Sequence, residues 1–329
     1  MASSAGGADT VIDDPVLQED WHPALRVEAL EHGGPIATRV LGEDIVLWRS
    51  GDAYHAWRDL CVHRGTRLSL GRVVDGARLE CPYHGWTYGT DGRCVLMPAH
   101  PEQTPPAKAC VSTFHARSAY GVVWVNLGEG AGDIPMFALT DAPGHRVLLA
   151  GPYHVKASGP RIVENFLDIG HFPFVHEGIL GDRARPEIAD YTTTTGPDGV
   201  LSEGVRVYQP DPYGTGRGST VTYTYRVHRP LAASFIKHGE LSFGMLLAVT
   251  PHDAVDSSAW MWMAMNYEPE SSMIEFQDRI FGQDRPILES QRPELLPLDL
   301  QAELHLRSDR TAIAYRRWLK ELGVRTGTA

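Results

Sequence analysis

Between Trp21 and Leu127 the apolar positions come in short runs, mostly alternating with polar ones and cut by glycine or charged turns. Such runs with period-two alternation read as half-buried strands. Val27 to Leu30, Ile36 to Leu41 and Ile45 to Arg49 are expected strands, followed by Ala53 into the segment that begins at Cys61. ARLECPYHGWTY predicts a strand, a loop and a second strand, with Gly89 and the Asp91-Gly92 pair as turn signals. A proline-rich connection, Pro98 to Pro106, leads to two more runs, Val111 to Ala116 and Tyr120 to Leu127. Trp57, Trp86 and Trp124 fall within these runs as packing residues.

The stretch Gly128 to Arg146 is rich in glycine and proline and reads as a domain boundary. We therefore expect a disordered tail over 1–18, a small β domain over 19–146 and a second domain over 147–329. The second opens with strand-like VLLAGPYHVKAS. It continues with RIVENFLDIGHFPFVHEGIL, expected to be a helix that breaks at Pro173. Residues 190–270 carry five long β-like segments whose alternation predicts an antiparallel sheet with one covered face. Helical stretches follow from about Ser272 to Gln291 and from about Arg307 to Leu322. The element order makes the fold class α+β.

Charge changes the picture by exclusion. The 329 residues carry a formal net charge of −11 without any Lys/Arg run, so nucleic acid and anionic membrane surfaces are poor partners. No apolar stretch approaches the ~18 residues of a membrane span, and the start lacks a cationic region followed by an apolar one. A cytoplasmic location is the expectation. Of four cysteines, Cys94 and Cys110 read as ordinary small residues, and nothing demands a disulfide.

The other two begin the chemistry. Cys61 and His63 form Cys-x-His, and after seventeen intervening residues Cys81 and His84 form Cys-x-x-His. Two thiolates and two imidazoles suit a zinc ion, or a two-iron cluster with cysteines on one iron and histidines on the other. Ligands two apart diverge on extended or turning backbone, which favours two neighbouring irons. Gly65 and Gly85 let each half turn tightly and bring N–H groups near sulfur. The segment resembles the cluster loops of Rieske proteins. Respiratory members carry an extra cysteine in each loop. Here Thr66 and Tyr83 occupy that neighbourhood, so the likeness is to the oxygenase and ferredoxin type, at the lower end of the potential range.

A second constellation is Asn165-x-x-Asp168-x-x-His171-x-x-x-x-His176. On a helix Asp168 and His171 share a face. His171 and His176 are five apart and converge only if Pro173 breaks the regular path. Two neutral histidines with a carboxylate form the facial arrangement used for non-haem Fe(II), leaving positions open beside a substrate.

The run resembles the iron-binding helix of Rieske non-haem iron oxygenases. It is most similar to the terminal (alpha) subunits of the demethylase and hydroxylase branch, the phthalate, vanillate and dicamba type. That resemblance implies a catalytic helix-grip domain with a curved antiparallel sheet, and a downstream aspartate as third ligand. Asp284 in FGQDRPILESQRPE matches, with Glu289 after it, against Asp278 and Glu275 as competitors. It further implies that Asp168 lies between the two metal sites and that Asn165 sits near the iron. Subunits would pack head to tail as a homotrimer, His84 of one meeting Asp168 of its neighbour. The chain has no GxGxxG fingerprint, so flavin and nicotinamide belong to a separate NAD(P)H-dependent reductase.

The expected activity is O2-dependent monooxygenation of a small organic molecule, by C–H hydroxylation or O- or N-demethylation. Ring cis-dihydroxylation is the alternative enzyme activity, and a Rieske electron carrier the non-enzymatic one. Other features stay with structure. His55, His100, His115, His154, His228, His238, His252 and His305 have no partner at ligand spacing. One face of the alternating Trp260 to Met265 run is a candidate pocket wall, as are Phe166, Phe172, Phe174, Ile179 and Leu180. The loop Gln209 to Thr220 reads as a turn or lid. No lysine or arginine is assigned to substrate.

Overall fold

The computed structural model describes residues 12–31, 33–213, 217–239, 241–269 and 272–329. The chain divides into two compact units between Ile134 and Pro135, inside the glycine- and proline-rich stretch. Most of the expected tail lies outside the described residues. Its last part does not: Asp14 caps a helical turn, α1 (Pro15–Gln18), whose Leu17 is fully buried.

Among its described residues the first unit holds ten strands, β1 (His22–Arg26), β2 (Ile36–Val40), β3 (Glu43–Ser50), β4 (Ala53–Arg58), β5 (Arg72–Val74), β6 (Arg78–Glu80), β7 (Thr87–Tyr88), β8 (Cys94–Leu96), β9 (Thr113–Ala119) and β10 (Val122–Asn126). Six make an antiparallel sheet in the order β1-β10-β9-β4-β3-β2, and the rest a small sheet β5-β6-β7-β8. The expected strand at Val27 is instead a short helix, α2 (Val27–Glu31), burying Leu30. Five residues reading VEALE satisfy either period, so tertiary packing decides. Trp57 and Trp124 are buried as expected. The core around Trp48, Trp57, Leu68 and Tyr88 includes the sulfur-bearing Cys61 and Cys81.

The second unit is one seven-stranded antiparallel sheet with helices packed on it. Its strands are β11 (Arg146–Val155), β12 (Thr192–Gly196), β13 (Gly199–Gln209), β14 (Ser219–Arg229), β15 (Ala232–His238), β16 (Phe243–Asp253) and β17 (Asp256–Met265). They run in the order β11-β17-β16-β15-β14-β13-β12. β15 is the strand that periodicity overlooks: its burial reads three buried, two half-buried, one buried, with no clean alternation. The expected single helix is two, α3 (Gly159–Leu167) and α4 (Phe172–Val175). The break is at Asp168, five residues before Pro173. Asp168 leaves the helix with extended backbone and its carboxylate accepts the Gly170 N–H at 2.7 Å. Pro173 sits in the first turn of α4, where its missing N–H costs nothing.

Helices α5 (Met273–Ser290) and α6 (Arg310–Leu322) close the unit where the sequence led us to expect helices, and the Ser272 hydroxyl caps the former. A charged cluster ties α6 to α3. Arg316, 3 % exposed, donates to both carboxylate oxygens of Glu164 at 2.6 and 2.8 Å and also to Glu303, which accepts from Arg161 at 2.8 Å. Burial opposes charge on Arg316, and the two carboxylates outweigh it and hold the guanidinium charged. Removing one member leaves buried charge unpaired. Arg316→Met is expected to cost about 3 kcal/mol, read as a lowered urea midpoint; an unchanged midpoint would refute the assignment.

Candidate metal centres and substrate cavity

In the first unit two loops of like construction carry the Cys/His set. Gly65 and Gly85, at φ +72° and +68°, each donate an N–H back to the cysteine that opens their loop, at 2.9 and 3.1 Å. These are left-handed positions that suit glycine. The loops thereby aim Cys61 and Cys81 inward, both 2 % exposed, while His84 stays exposed and His63 half-buried. The His63 and His84 rings lie 4.6 Å apart at their centroids. Trp86, expected as packing, stacks flat on His63 at 4.4 Å and 3°.

The donor chemistry fits a two-iron cluster. Both thiols are free, and burial pushes Cys81 up while N–H groups of Tyr83 and His84 at its sulfur pull the other way. Buried thiols with amide hydrogens aimed at sulfur suit a metal-bound thiolate. The Tyr88 hydroxyl is 3.0 Å from the Cys61 sulfur, and burial beside that thiol holds the phenol well above its usual range, so it remains a donor. The buried Nδ1 of His63 has no hydrogen-bond partner among the described residues.

In the second unit the α3–α4 break turns His171 and His176 toward α5. His171 Nε2 lies 3.5 Å and His176 Nε2 3.1 Å from Asp284 Oδ1, and the three donor atoms all lie within 4.8 Å of one another. The opposite ring nitrogens are committed: His171 Nδ1 meets the Asp168 carboxylate at 3.1 Å and His176 Nδ1 meets Gln283 Oε1 at 2.9 Å. Acceptors at both Nδ1 atoms place the protons there and leave Nε2 lone pairs facing a carboxylate oxygen. That oxygen is buried and receives no hydrogen bond from the described residues. Three lone pairs converging in a buried site fit a bound cation and little else.

Asp278, the competing ligand, accepts from the Tyr153 hydroxyl at 2.6 Å, and Glu289 accepts the Lys156 N–H at 3.2 Å. Burial disfavours charge on Asp168, yet the His171 ring and the Gly170 N–H hold its carboxyl below the usual range. Gln283 escaped the sequence reading because an amide beside a ligand has no motif. Among the described residues His154, His252 and Asp256 also gather, although His154 is exposed and His252 Nε2 meets the Ser258 hydroxyl at 2.7 Å.

The triad opens on a largely apolar cavity. The expected Phe166, Phe172, Leu180 and Met261 line it, with Asn165. Phe174 does not; it is 52 % exposed. From the Gln209–Thr220 loop, Asp211, Pro212 and Tyr213 reach the wall, while 214–216 lie outside the described residues.

A sulfur- and imidazole-bearing electron-transfer module followed by a two-histidine, one-carboxylate site over an apolar cavity defines an iron-dependent oxidoreductase that acts on a small molecule. Comparison sharpens this. Residues 20–115 match the Rieske [2Fe-2S] domain, and residues 155–325 the vanillate O-demethylase oxygenase C-terminal domain. The chain is 35 % identical to methylxanthine N1-demethylase of Pseudomonas putida, over 93 % of this chain and 89 % of that one. It is 28 % identical to the vanillate O-demethylase oxygenase subunit of a Pseudomonas strain, covering 86 % and 95 %. The structure of Pseudomonas putida NdmA with caffeine superposes with a TM-score of 0.83 at 32 % identity, over 93 % of this chain and 91 % of that one. The chain belongs to the Rieske non-haem iron oxygenases, as a terminal oxygenase subunit.

Its cofactors are a [2Fe-2S] cluster and a mononuclear non-haem iron, its reaction is oxygenation with O2, and electrons come from a reductase. A bare electron carrier would have no use for the second unit. No helix among the described residues is long and apolar enough to cross a membrane. Asp284→Ala is expected to lose the mononuclear metal, by metal analysis, with the cluster's visible absorption intact. Gln283→Leu should weaken that metal by roughly 10–100-fold, and an unaltered affinity would show that the His176 contact is idle.

Proposed function

We propose that this oxygenase removes a methyl group from a ring nitrogen of a small flat heterocycle of the methylxanthine kind. The observation that carries it is the cavity over His171, His176 and Asp284, walled by the aromatic rings of Phe166, Tyr223, Tyr225, Phe235, Phe243 and Phe281. Flat faces of that number suit a planar ring system held by stacking. The overall likeness to methylxanthine N1-demethylase supports nitrogen over oxygen as the methyl-bearing atom. Per turnover, one O2, two electrons and two protons convert an N-methyl group to N–H, formaldehyde and water. The electrons derive from NAD(P)H on the separate reductase.

In this reading Cys61, His63, Cys81 and His84 hold the cluster, and His171, His176 and Asp284 hold the iron. When bound, the two groups supply electron storage and dioxygen activation. The protein's share is position. Asp168 fixes the His171 ring through Nδ1, and Gln283 fixes His176. Asn165 borders the cavity beside them.

We also assign a homotrimer in which His84 of one subunit meets Asp168 of the next. Two exposed apolar patches support it. Leu60, Val62 and Tyr83 stand exposed at the cluster loops, and Leu304 and Leu306 are 98 % and 71 % exposed, Leu304 beside the surface depression that holds Asp168. Patches of this kind mark contact surfaces. Asp168 itself is 39 % exposed and so remains reachable.

Metal analysis should give about three irons per chain, and N-methylated xanthines with reductase and O2 should yield stoichiometric formaldehyde. Oxidised product without formaldehyde would sink the demethylase reading. Asp168→Asn should keep both metals and lower turnover by roughly 10–100-fold; full activity would remove Asp168 from its proposed place between the two metal sites. Sedimentation of an active monomer would remove the trimer.

A further inference from the structure

On the sheet wall of the iron cavity sits a lysine, 5 % exposed. Lys237 lies on β15, two residues after Phe235 and therefore on the same face. Its register partners are Tyr223 on β14 and Phe243 on β16, both also cavity residues. Nζ donates to the Pro212 carbonyl at 2.6 Å and lies 5.3, 5.7 and 5.3 Å from the ring centres of Tyr213, Tyr223 and Phe243. An amine head with three hydrogens has one of them taken up among the described residues. An apolar wall does not retain such a group for packing alone, because burying a donor without a partner is costly.

Two further features narrow its partner. Burial brings the Lys237 amine down to about 7, with Asp211 opposing that fall. Asp211 also lines the cavity. The wall thus carries Lys237 together with a carboxylate of its own, Asp211, which leaves no surplus positive charge for a second, desolvated carboxylate. A neutral carbonyl oxygen has no such requirement, since it accepts from an ammonium and an amine alike.

We propose that Lys237 is the substrate-selecting residue of this cavity, donating to a neutral ring carbonyl of an N-methylated lactam or cyclic imide. The proposal rests on the demethylase reading and adds the chemical group that is recognised. It separates this chain from the vanillate O-demethylase oxygenase subunit, whose named substrate carries a carboxylate. The aromatic rings hold the plane of the substrate, and the lysine fixes its rotation within that plane, which determines which methyl group faces the iron ligands.

The test uses matched ligands and binding, so that it stands apart from turnover. Calorimetric titration of the reduced holoenzyme under nitrogen compares 1-methylbenzimidazol-2-one with 1-methylbenzimidazole, which lacks the carbonyl. The wild type should bind the carbonyl compound about tenfold more tightly. Lys237→Met should bring the ratio close to one, and Lys237→Gln, which keeps a neutral donor, should restore part of it. Retained cluster absorption verifies that each variant is folded, and the wild-type ratio decides the matter even if a variant is not. Equal affinities in the wild type, absence of binding by either compound, or a preference that survives Lys237→Met would overturn the proposal. So would tighter binding of 4-methoxybenzoate than of the carbonyl compound. Normal selective binding without formaldehyde release would instead count against the demethylase reading and leave the Lys237 assignment standing.

Discussion

Two imidazole nitrogens and one carboxylate oxygen, all presenting lone pairs to one another in a buried space, are the constraint around which the second unit is built. Asp284 Oδ1 stands 3.1 and 3.5 Å from the two Nε2 atoms and receives no hydrogen bond from the described residues. Such a cluster is repulsive unless a cation binds there, and its geometry must be held by other contacts until one does. The holding contacts are Asp168 on His171 and Gln283 on His176. Each also fixes a tautomer, so loss of either carboxylate or amide affects the metal without touching it.

Those contacts depend in turn on a helix that stops early. Were α3 to continue past Leu167, His171 and His176 would lie on different faces of one helix. Asp168 ends it by capturing the Gly170 N–H, and the same carboxylate then meets His171. One side chain therefore both terminates the helix and orients a ligand. The opposite half of the site comes from α5, which carries Gln283 and Asp284 in adjacent positions. The buried Arg161, Glu164, Glu303 and Arg316 cluster ties α3 to α6 and to the chain between, so the first helix has little freedom to drift.

Much of this was legible in the order of residues, and the failures have physical causes. Cys61, His63, Cys81, His84, His171 and His176 announce themselves because metal ligation restricts residue type and spacing together. Asp284 needed the family resemblance, since a carboxylate more than a hundred positions downstream carries no local signal. The helix end at Asp168 was misplaced because Pro173 is the louder breaker, although proline suits a first helical turn. The α2 helix was read as a strand because five residues fit both periods. β15 was passed over because its apolar residues do not alternate.

That last omission bears on function. Lys237 lies on the overlooked strand, and its presence in the cavity is a matter of register: Tyr223 opposite on one side, Phe243 on the other. A shift of one residue would turn it to the far face and bring Ile236 or His238 inward. Candidate metal ligands are restricted in residue type and spacing by the chemistry they would perform, and so leave a pattern in sequence. The pocket wall answers to one substrate, and its residues become meaningful only when the sheet has placed them side by side. In this chain the two kinds of residue are also separate in space: His171 and His176 flank α4 and Asp284 lies on α5, while Tyr223, Lys237 and Phe243 come from the strands facing them.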